Sequence, residues 1–297
     1  MFKINSSNRI IYSGILIVII QTFSGSSFDA ITKLLGSSSK IIWYHYYAIG
    51  LGFSLFLFLL YLFFIGQIKK HIILKNKNDY IVPLIRGITF IPIPIIIYYT
   101  LQKIPLSIFT PILMTTPFFM LIWSSLLQKE IISVKYWLIL IIGFSGTILV
   151  AKPTFFQANP FIFLIFLVAA YNALTSILVS KFSTKASSFS YTFYGIMPLT
   201  ILCLLMFILD PISLSKIELI YIIIGGLFLF IAYLLLVIVF HISGRYSRII
   251  SPIFYSQLIW ASLFGIFFFN ESLDFFSILG IILIILSGTL TTLSMPK

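Results

Sequence analysis

Charged residues are scarce in this sequence. Asp, Glu, Lys and Arg make up 9% of its 297 residues, 60% of the residues are hydrophobic, and the mean hydropathy is +1.15. A soluble domain has about 25% charged residues. A chain this poor in charge cannot keep itself dissolved in water, so the composition excludes a soluble globular domain and a disordered chain. It predicts a protein whose solvent is lipid.

Cysteine and acidic residues are also few. The single cysteine, Cys203, excludes an internal disulfide and a cysteine-based zinc site, and we expect it to be a small buried apolar residue. Seven acidic residues stand against 19 basic ones. The basic residues lie at the ends of apolar runs, which is typical of a membrane protein and not of a nucleic-acid-binding surface.

Long apolar runs, by contrast, are abundant. A helix needs about 20 apolar residues to cross the hydrocarbon core of a bilayer. The runs do not alternate with the period of two that a transmembrane barrel requires, so the sequence predicts an all-α membrane fold. Ten transmembrane helices are predicted, at residues 10–35, 41–65, 81–103, 106–128, 134–151, 160–182, 188–209, 217–241, 248–269 and 275–293.

The distribution of lysine and arginine predicts the orientation. If the N-terminus is cytoplasmic, fourteen of the 19 basic residues lie in cytoplasmic segments, Arg86 among them. Four lie outside, namely Lys40, Lys103, Lys152 and Lys216. By the positive-inside rule both termini are cytoplasmic. One alternative is that residues 10–20, followed by Ser24-Gly25-Ser26, form a cleaved signal peptide, although the helical pattern continues beyond that site.

The sequence contains an internal repeat. Pro111 and Pro252 are 141 residues apart, and so are Glu130 and Glu271. Ser-Gly-Thr at residues 145–147 returns at 287–289. The repeats predicted from these pairs are residues 10–152 and 160–293. Five helices per repeat is an odd number, so the second repeat must be inverted relative to the first, which is an architecture of many secondary transporters.

Four stretches in order resemble the drug/metabolite transporter superfamily, specifically its EamA-type ten-helix permeases. The stretches are Phe28–Lys33, Leu84–Gly87, Pro117–Pro153 and Pro252–Glu271. His45 stands where members often have arginine. The first and last stretches are most similar to relatives implicated in S-adenosylmethionine or riboflavin uptake. The resemblance implies a permease that works by alternating access, with a central cavity lined by spans one, three, four, six, eight and nine.

Span one carries polar residues on one helical face. Thr22, Ser26, Asp29 and Lys33 follow spacings of 4, 3 and 4 residues. Polar groups inside a bilayer are costly, so this face is expected to turn toward the protein interior. Asp29 and Lys33 are therefore candidate substrate-binding residues with Ser26. The alternatives are that Asp29 and Lys33 form a structural ion pair, or that Lys33 extends to the interface.

Spans six and nine supply the other candidates. Asn172 and Thr175 lie on one face of span six, where they either line a cavity or bring helices together. Tyr255, Gln257 and Trp260 in span nine would suit a flat organic solute, because aromatic rings supply contact area and the amide supplies direction. Helix packing is the alternative for this set.

The remaining polar residues are interpreted structurally. Glu130 and Glu271 fall at opposite membrane faces, so they are expected to bond neighbouring helix ends rather than share a proton. His45 and His241 are interfacial, and Trp43, Tyr44, Tyr46 and Tyr47 form a predicted aromatic belt. Pro111, Pro117 and Pro252 are expected to break or kink their helices.

The sequence therefore predicts a multi-pass permease of the bacterial inner membrane, monomeric or homodimeric, for a small organic metabolite. It contains no recognisable catalytic motif, and we expect no enzyme activity, no cofactor, no metal and no nucleic-acid partner. Its expected partners are a small-molecule substrate and the lipid bilayer. The alternative is a membrane-embedded structural or lipid-modifying protein without solute transport.

Overall fold

The computed structural model describes residues 6–36, 40–104, 106–151, 160–270 and 274–293, and every element within them is helical. The helices are α1 (Ser6–Gly36), α2 (Trp43–Phe64), α3 (Ile68–Ile72), α4 (Ile81–Phe90), α5 (Pro92–Lys103), α6 (Leu106–Leu113), α7 (Thr116–Gln128), α8 (Val134–Ala151), α9 (Pro160–Lys181), α10 (Ser188–Leu209), α11 (Lys216–Ser243), α12 (Ser247–Ile250), α13 (Ser256–Phe269) and α14 (Phe275–Leu293). The predictions that involve Lys3, Lys152, Pro153, Glu271 and Lys297 lie outside the described residues.

Seven helical stretches of the described chain are long and apolar enough to cross a membrane, which confirms the all-α membrane architecture. The stretches are Ile10–Gly36, Trp43–Phe64, Lys77–Lys103, Phe109–Gln128, Phe163–Lys181, Ser188–Leu209 and Lys216–Phe269. The last spans 54 residues, more than twice the length of about 20 residues that one crossing needs. Two shorter apolar helices, Val134–Leu149 and Ile278–Leu290, complete the set.

Prolines interrupt the helices at two of the three predicted positions, Pro117 and Pro252, whereas Pro111 lies inside the continuous helix α6. The fourth predicted span divides into α6 and α7 at Met114 and Thr115, next to Pro117. In a continuous helix the carbonyl of Leu113 would accept from the amide of residue 117, but proline has no N–H. The Thr116 hydroxyl supplies the missing donor, at 2.6 Å from the Leu113 oxygen. The break is therefore stabilised by a side chain instead of water.

The other helix breaks also lie at prolines. The third predicted span divides into α4 and α5 at Ile91, directly before Pro92. The segment Ser251–Tyr255, which contains Pro252, is a 3-10 helix between α12 and α13. By contrast, α11 contains no proline and is continuous over 28 residues.

The backbone repeats the 141-residue period of the sequence. Among the described non-glycine residues, Lys129 and Asn270 have positive φ, at 56° and 53°. Each ends the second helix of a broken pair, α7 and α13, in the left-handed conformation. This conformation is common for asparagine but costly for lysine. Since these two residues are 141 apart, the repeat extends from residue identity to backbone geometry.

Tight packing of α1, α2 and α11 forms much of the bundle. A side chain on Gly14 would meet Ser243, and one on Gly225 would meet Ile31, so α1 and α11 run antiparallel along each other. The helices α2 and α11 cross where Gly226 faces Gly50, because a Cβ on Gly226 would lie 2.3 Å from the Gly50 main chain. Only glycine permits main chains to approach so closely.

The predicted aromatic belt is partly wrong. Tyr46 and Tyr47 are fully buried, and the Tyr47 hydroxyl donates to the Pro94 carbonyl at 2.9 Å. Phe28 and Tyr98 pack around both rings. The sequence placed these tyrosines at a membrane interface because they stand at the start of a span. Their rings instead form the aromatic part of the core.

Candidate functional site

A small cavity lies where the two broken helices meet. Its volume is about 60 Å³, which is room for a few water molecules and several-fold less than a metabolite needs. It is lined by Gln21, Leu113, Met114, Thr116, Met120, Asn172, Ser176, Leu236, Phe254 and Gln257. The lining comes from both predicted repeats, and part of it comes from the two breaks. Irregular backbone inside a membrane protein is tolerated where it borders such a cavity.

The polar face of α1 packs along the beginning of α13. The Thr22 hydroxyl is 2.8 Å from the Ser256 hydroxyl, and the Ser26 hydroxyl donates to the Gln257 carbonyl at 3.0 Å. One turn further, the Gln257 amide donates to the Asp29 carboxylate at 3.3 Å. The structure therefore brings together three of the predicted site residues, Ser26, Asp29 and Gln257, although more than 225 residues separate α1 from α13 in sequence.

Asp29 is buried, with 5% of its surface exposed. Its hydrogen-bonding partner in the described chain is the Gln257 amide, and none of the described cations pairs with it. Lys33, the predicted ion-pair partner, lies with its amine 4.6 Å from the centre of the Phe269 ring. A buried carboxyl group with a single neutral donor is costly unless it holds a proton or meets a cation.

The polar residues of span six differ in environment, because some line the cavity and one bonds only within its own helix. Asn172 and Ser176 line the cavity, whereas the Thr175 hydroxyl donates to the Asn172 carbonyl at 3.2 Å. Ser176 donates to the same carbonyl at 2.7 Å. Asn172 is therefore the predicted span-six residue whose position best suits contact with a solute.

The predicted site residues of span nine also lie in different environments. Gln257 lines the cavity, but Tyr255 is fully buried on another side, where its hydroxyl donates to the Leu140 carbonyl of α8 at 3.2 Å. Trp260 packs edge-on against Phe23 at 5.3 Å, and its indole N–H has no acceptor among the described residues. The predicted aromatic platform is thus not assembled, because Tyr255 lies in the 3-10 segment and faces α8.

Sequence reasoning missed two polar residues near the cavity. Gln21 lines it, and its side-chain oxygen is buried without a donor in the described chain. Arg86, which was counted with the cytoplasmic residues, is instead buried within α4. The available signal was position, since each lies inside an apolar run, Arg86 five residues after Ile81. Buried polar atoms without partners usually indicate a ligand, water or an ion.

The contacts of Glu130 confirm the prediction that it bonds neighbouring helix ends. Its carboxylate accepts hydrogen bonds from Arg248 at 3.0 Å and Ser247 at 2.7 Å, and also from Ser124. These contacts join the end of α7 to α12. His45 likewise joins helix ends, because its Nε2 lies 2.8 Å from the Asp210 carbonyl.

A bundle of apolar helices around a partly polar cavity, lined from two predicted repeats, is the architecture of a multi-pass membrane protein. A sequence profile of the EamA-like transporter family matches residues 12–152 and 159–293, so the chain belongs to that family. It is a multi-pass protein of the bacterial inner membrane, and its relatives are named as transporters and not as enzymes.

The similar proteins are distant in sequence. An S-adenosylmethionine uptake transporter of Rickettsia prowazekii (strain Madrid E) is 28% identical over 188 residues, and one of Rickettsia felis (strain ATCC VR-1525 / URRWXCal2) is 26% identical over 194 residues. These alignments cover 63% and 64% of this chain, and the chain spans 63% of the length of each relative. A crystal structure of a protein with 15% identity aligns over 97% of this chain and 96% of its own, with a TM-score of 0.69, which shows the fold alone.

Proposed function

We propose that the protein moves a small organic metabolite bearing a positive charge across the membrane, with S-adenosylmethionine as the leading candidate. The observation that carries the proposal is the buried Asp29 carboxylate, bonded to the cavity-lining Gln257. Gln21 adds an unpaired oxygen to the same cavity. A buried carboxylate that no described cation pairs with is suited to a cationic ligand, and S-adenosylmethionine carries a sulfonium and an ammonium group.

We also propose ten transmembrane helices in two inverted repeats, residues 10–152 and 160–293, with both termini cytoplasmic. The 54-residue apolar stretch Lys216–Phe269 is interrupted by the 3-10 segment, which supports two crossings there. The helix pairs α4–α5 and α6–α7 each make one crossing, and the shorter helices α8 and α14 make one each. The equivalent φ values of Lys129 and Asn270 support the repeat.

Cysteine labelling tests this topology. Cys203 is buried, and replacing it with serine gives a background without accessible thiols. In that background, Ser213→Cys is expected to react with a membrane-impermeant maleimide in intact cells. Asn78→Cys, equally exposed in the structure, is expected to react only after lysis. Both residues reacting in intact cells, or the reverse order, would contradict the ten-helix arrangement.

The size of the cavity and the unequal packing of the two repeats support alternating access. A cavity of about 60 Å³ must enlarge to admit a metabolite, so the structure corresponds to a closed state. The helix α1 packs extensively along α11, whereas the pair related to it by the repeat, α9 with α4–α5, makes far less contact. We propose that transport exchanges these two arrangements, which opens the cavity to each side in turn.

Exchange of labelled substrate in proteoliposomes tests the function. Vesicles preloaded with S-adenosylmethionine are expected to take up the labelled compound, and empty vesicles are not. S-adenosylhomocysteine lacks the sulfonium charge, so it is expected to compete at least about tenfold more weakly. If no metabolite in a broad screen exchanges, the transport proposal fails and a structural or lipid-modifying role takes its place.

A further inference from the structure

An arginine is buried inside the helical bundle without an acidic partner. Arg86 lies in α4 with 6% of its surface exposed. Its Nη1 donates to the Tyr233 hydroxyl, and the centre of the guanidinium is 4.4 Å from the middle of the Tyr233 ring. No carboxylate among the described residues forms an ion pair with it.

The guanidinium also has an unused donor. Its Nε is buried and has no acceptor in the part of the chain that the structure describes. The nearest acidic residue in sequence, Asp79, is already paired with Lys185 at 3.8 Å and accepts from Asn76 at 3.2 Å. An arginine presents five N–H donors in a planar fork that matches a carboxylate. The contact with Tyr233 occupies Nη1, and Nε has no acceptor among the described residues.

Arg86 contacts Tyr171 and Tyr233, two residues that lie close in sequence to cavity-lining positions. The Tyr171 hydroxyl donates to the Arg86 carbonyl at 3.1 Å, and the next residue, Asn172, lines the cavity. Tyr233 stands one helical turn before the cavity-lining Leu236 on α11. Space for the pair comes from Gly195, where a Cβ would lie 2.1 Å from the Tyr233 hydroxyl oxygen. The guanidinium itself packs against Tyr233, and both contacts of Arg86 are with residues that neighbour cavity-lining positions along the chain.

The heights of Arg86 and Asp29 can be compared along two packed helices. A Cβ on Gly225 would lie 3.0 Å from Ile31, which fixes the register of α11 against α1. From that level, Asp29 is two residues further on α1 and Tyr233 is eight residues further on α11, in the same direction. At about 1.5 Å per residue, Asp29 and Tyr233, which contacts Arg86, are separated by about 9 Å along the helix axes.

We propose that Arg86 binds the carboxylate of the transported solute when Tyr233 releases it, so that the substrate is a zwitterion whose cationic group lies toward Asp29. The inference rests on the proposed transport function and extends it to a substrate class, carboxylate-bearing organic cations. A nucleoside joined to an amino acid is long enough to bridge the two sites. In the closed state Tyr233 covers the guanidinium. Its ring and hydroxyl stabilise the buried charge through a cation–π contact and a hydrogen bond.

Thermal unfolding of the purified full-length protein tests the assignment without requiring transport. The ligands are matched pairs that differ only at the carboxylate: S-adenosylmethionine with its decarboxylated form, and methionine with methioninamide. The wild type is expected to bind at least one carboxylate form about 10- to 100-fold more tightly than its partner, because a bidentate charged hydrogen bond is lost. In Arg86→Gln the two forms are expected to bind equally weakly.

Further variants separate recognition from structure. Arg86→Lys keeps the charge but not the fork, so an intermediate preference is expected. Tyr233→Phe removes the competing hydroxyl and should keep or increase the preference. Arg245→Gln removes an exposed arginine and should leave the preference unchanged. Equal affinity within each pair for the wild type, or a preference that Arg86→Gln retains, overturns the assignment.

The two proposals fail in different ways. If the wild type exchanges S-adenosylmethionine but Arg86→Gln discriminates as the wild type does, transport stands and the role of Arg86 falls. If S-adenosylmethionine is not exchanged but methionine and methioninamide are distinguished through Arg86, the carboxylate site stands and the proposed substrate is wrong.

Discussion

Asp29→Asn is expected to lower the initial rate of uptake of the cationic substrate by at least about 30-fold. The amide is nearly the same size as the carboxyl group and can still accept a hydrogen bond from Gln257 through its oxygen. What it loses is the charge, and removing one partner of a desolvated charge pair costs about 2–5 kcal/mol. The measurement is the initial rate in proteoliposomes over a range of substrate concentrations, with thermal unfolding as a check of folding.

Glu218→Gln is the matched control for Asp29→Asn. It also removes one negative charge and replaces a carboxylate with an amide, but Glu218 is half-buried at the beginning of α11, where it closes a capping box with Ser215. Glutamine serves the same capping role, so both rate and stability should stay near those of the wild type. Uptake by Asp29→Asn at the wild-type rate would rule out Asp29 as a substrate-binding residue.

The inward orientation of Asp29 was predictable for a physical reason. A bilayer does not solvate polar side chains, so the face of α1 that carries Thr22, Ser26 and Asp29 must turn inward. Its partner could not be predicted, because Gln257 is 228 residues from Asp29 and span nine begins with a 3-10 turn. That turn changes the rotation of the segment, which is why Tyr255 faces α8 and not the cavity.

Apolar and aromatic positions were harder to predict for a related reason. Lipid is as apolar as a protein core, so hydrophobic periodicity does not distinguish the outer face of a membrane helix from its inner face. Tyr46 and Tyr47 could equally have been interfacial on sequence grounds, yet they are core residues. Arg86 was misplaced because an arginine near a helix end usually extends to water. Here Tyr233 and Gly195 provide an internal place for it.

The prolines and the repeat were predictable because they act locally. A proline removes a main-chain donor whatever surrounds it, so the breaks near Pro117 and Pro252 follow from sequence alone, although α6 remains continuous at Pro111. The period of 141 residues likewise places Lys129 and Asn270 in equivalent positions before any packing is known. The side chains that satisfy each break could not be predicted in the same way.

Arg248→Met is expected to destabilise the protein by about 3 kcal/mol, because it leaves Glu130 buried without its cation. The Glu130 side chain is 8% exposed and Arg248 is 29% exposed, so water can compensate only in part. For a chain of this size, we expect the melting temperature in detergent to fall by about 5–10 °C. The double variant Glu130→Leu with Arg248→Met removes both charges and should recover much of this loss. Equal melting temperatures for wild type and Arg248→Met would show that the pair contributes nothing.

The same substitution is expected to open one end of the transporter. Glu130 follows α7 in the first repeat, while Ser247 and Arg248 belong to α12 in the second, so these contacts hold the two repeats together at the end we place in the cytoplasm. Weakening them favours the conformation in which that end is open, since a two-state equilibrium shifts by the free energy lost from one state.

Ser251 is fully buried and adjoins this end. In a Cys203→Ser background, Ser251→Cys should therefore react with a maleimide from the cytoplasmic side at least about tenfold faster when Arg248→Met is also present. An unchanged reaction rate would mean that the ion pair stabilises helix ends without controlling access to the cavity.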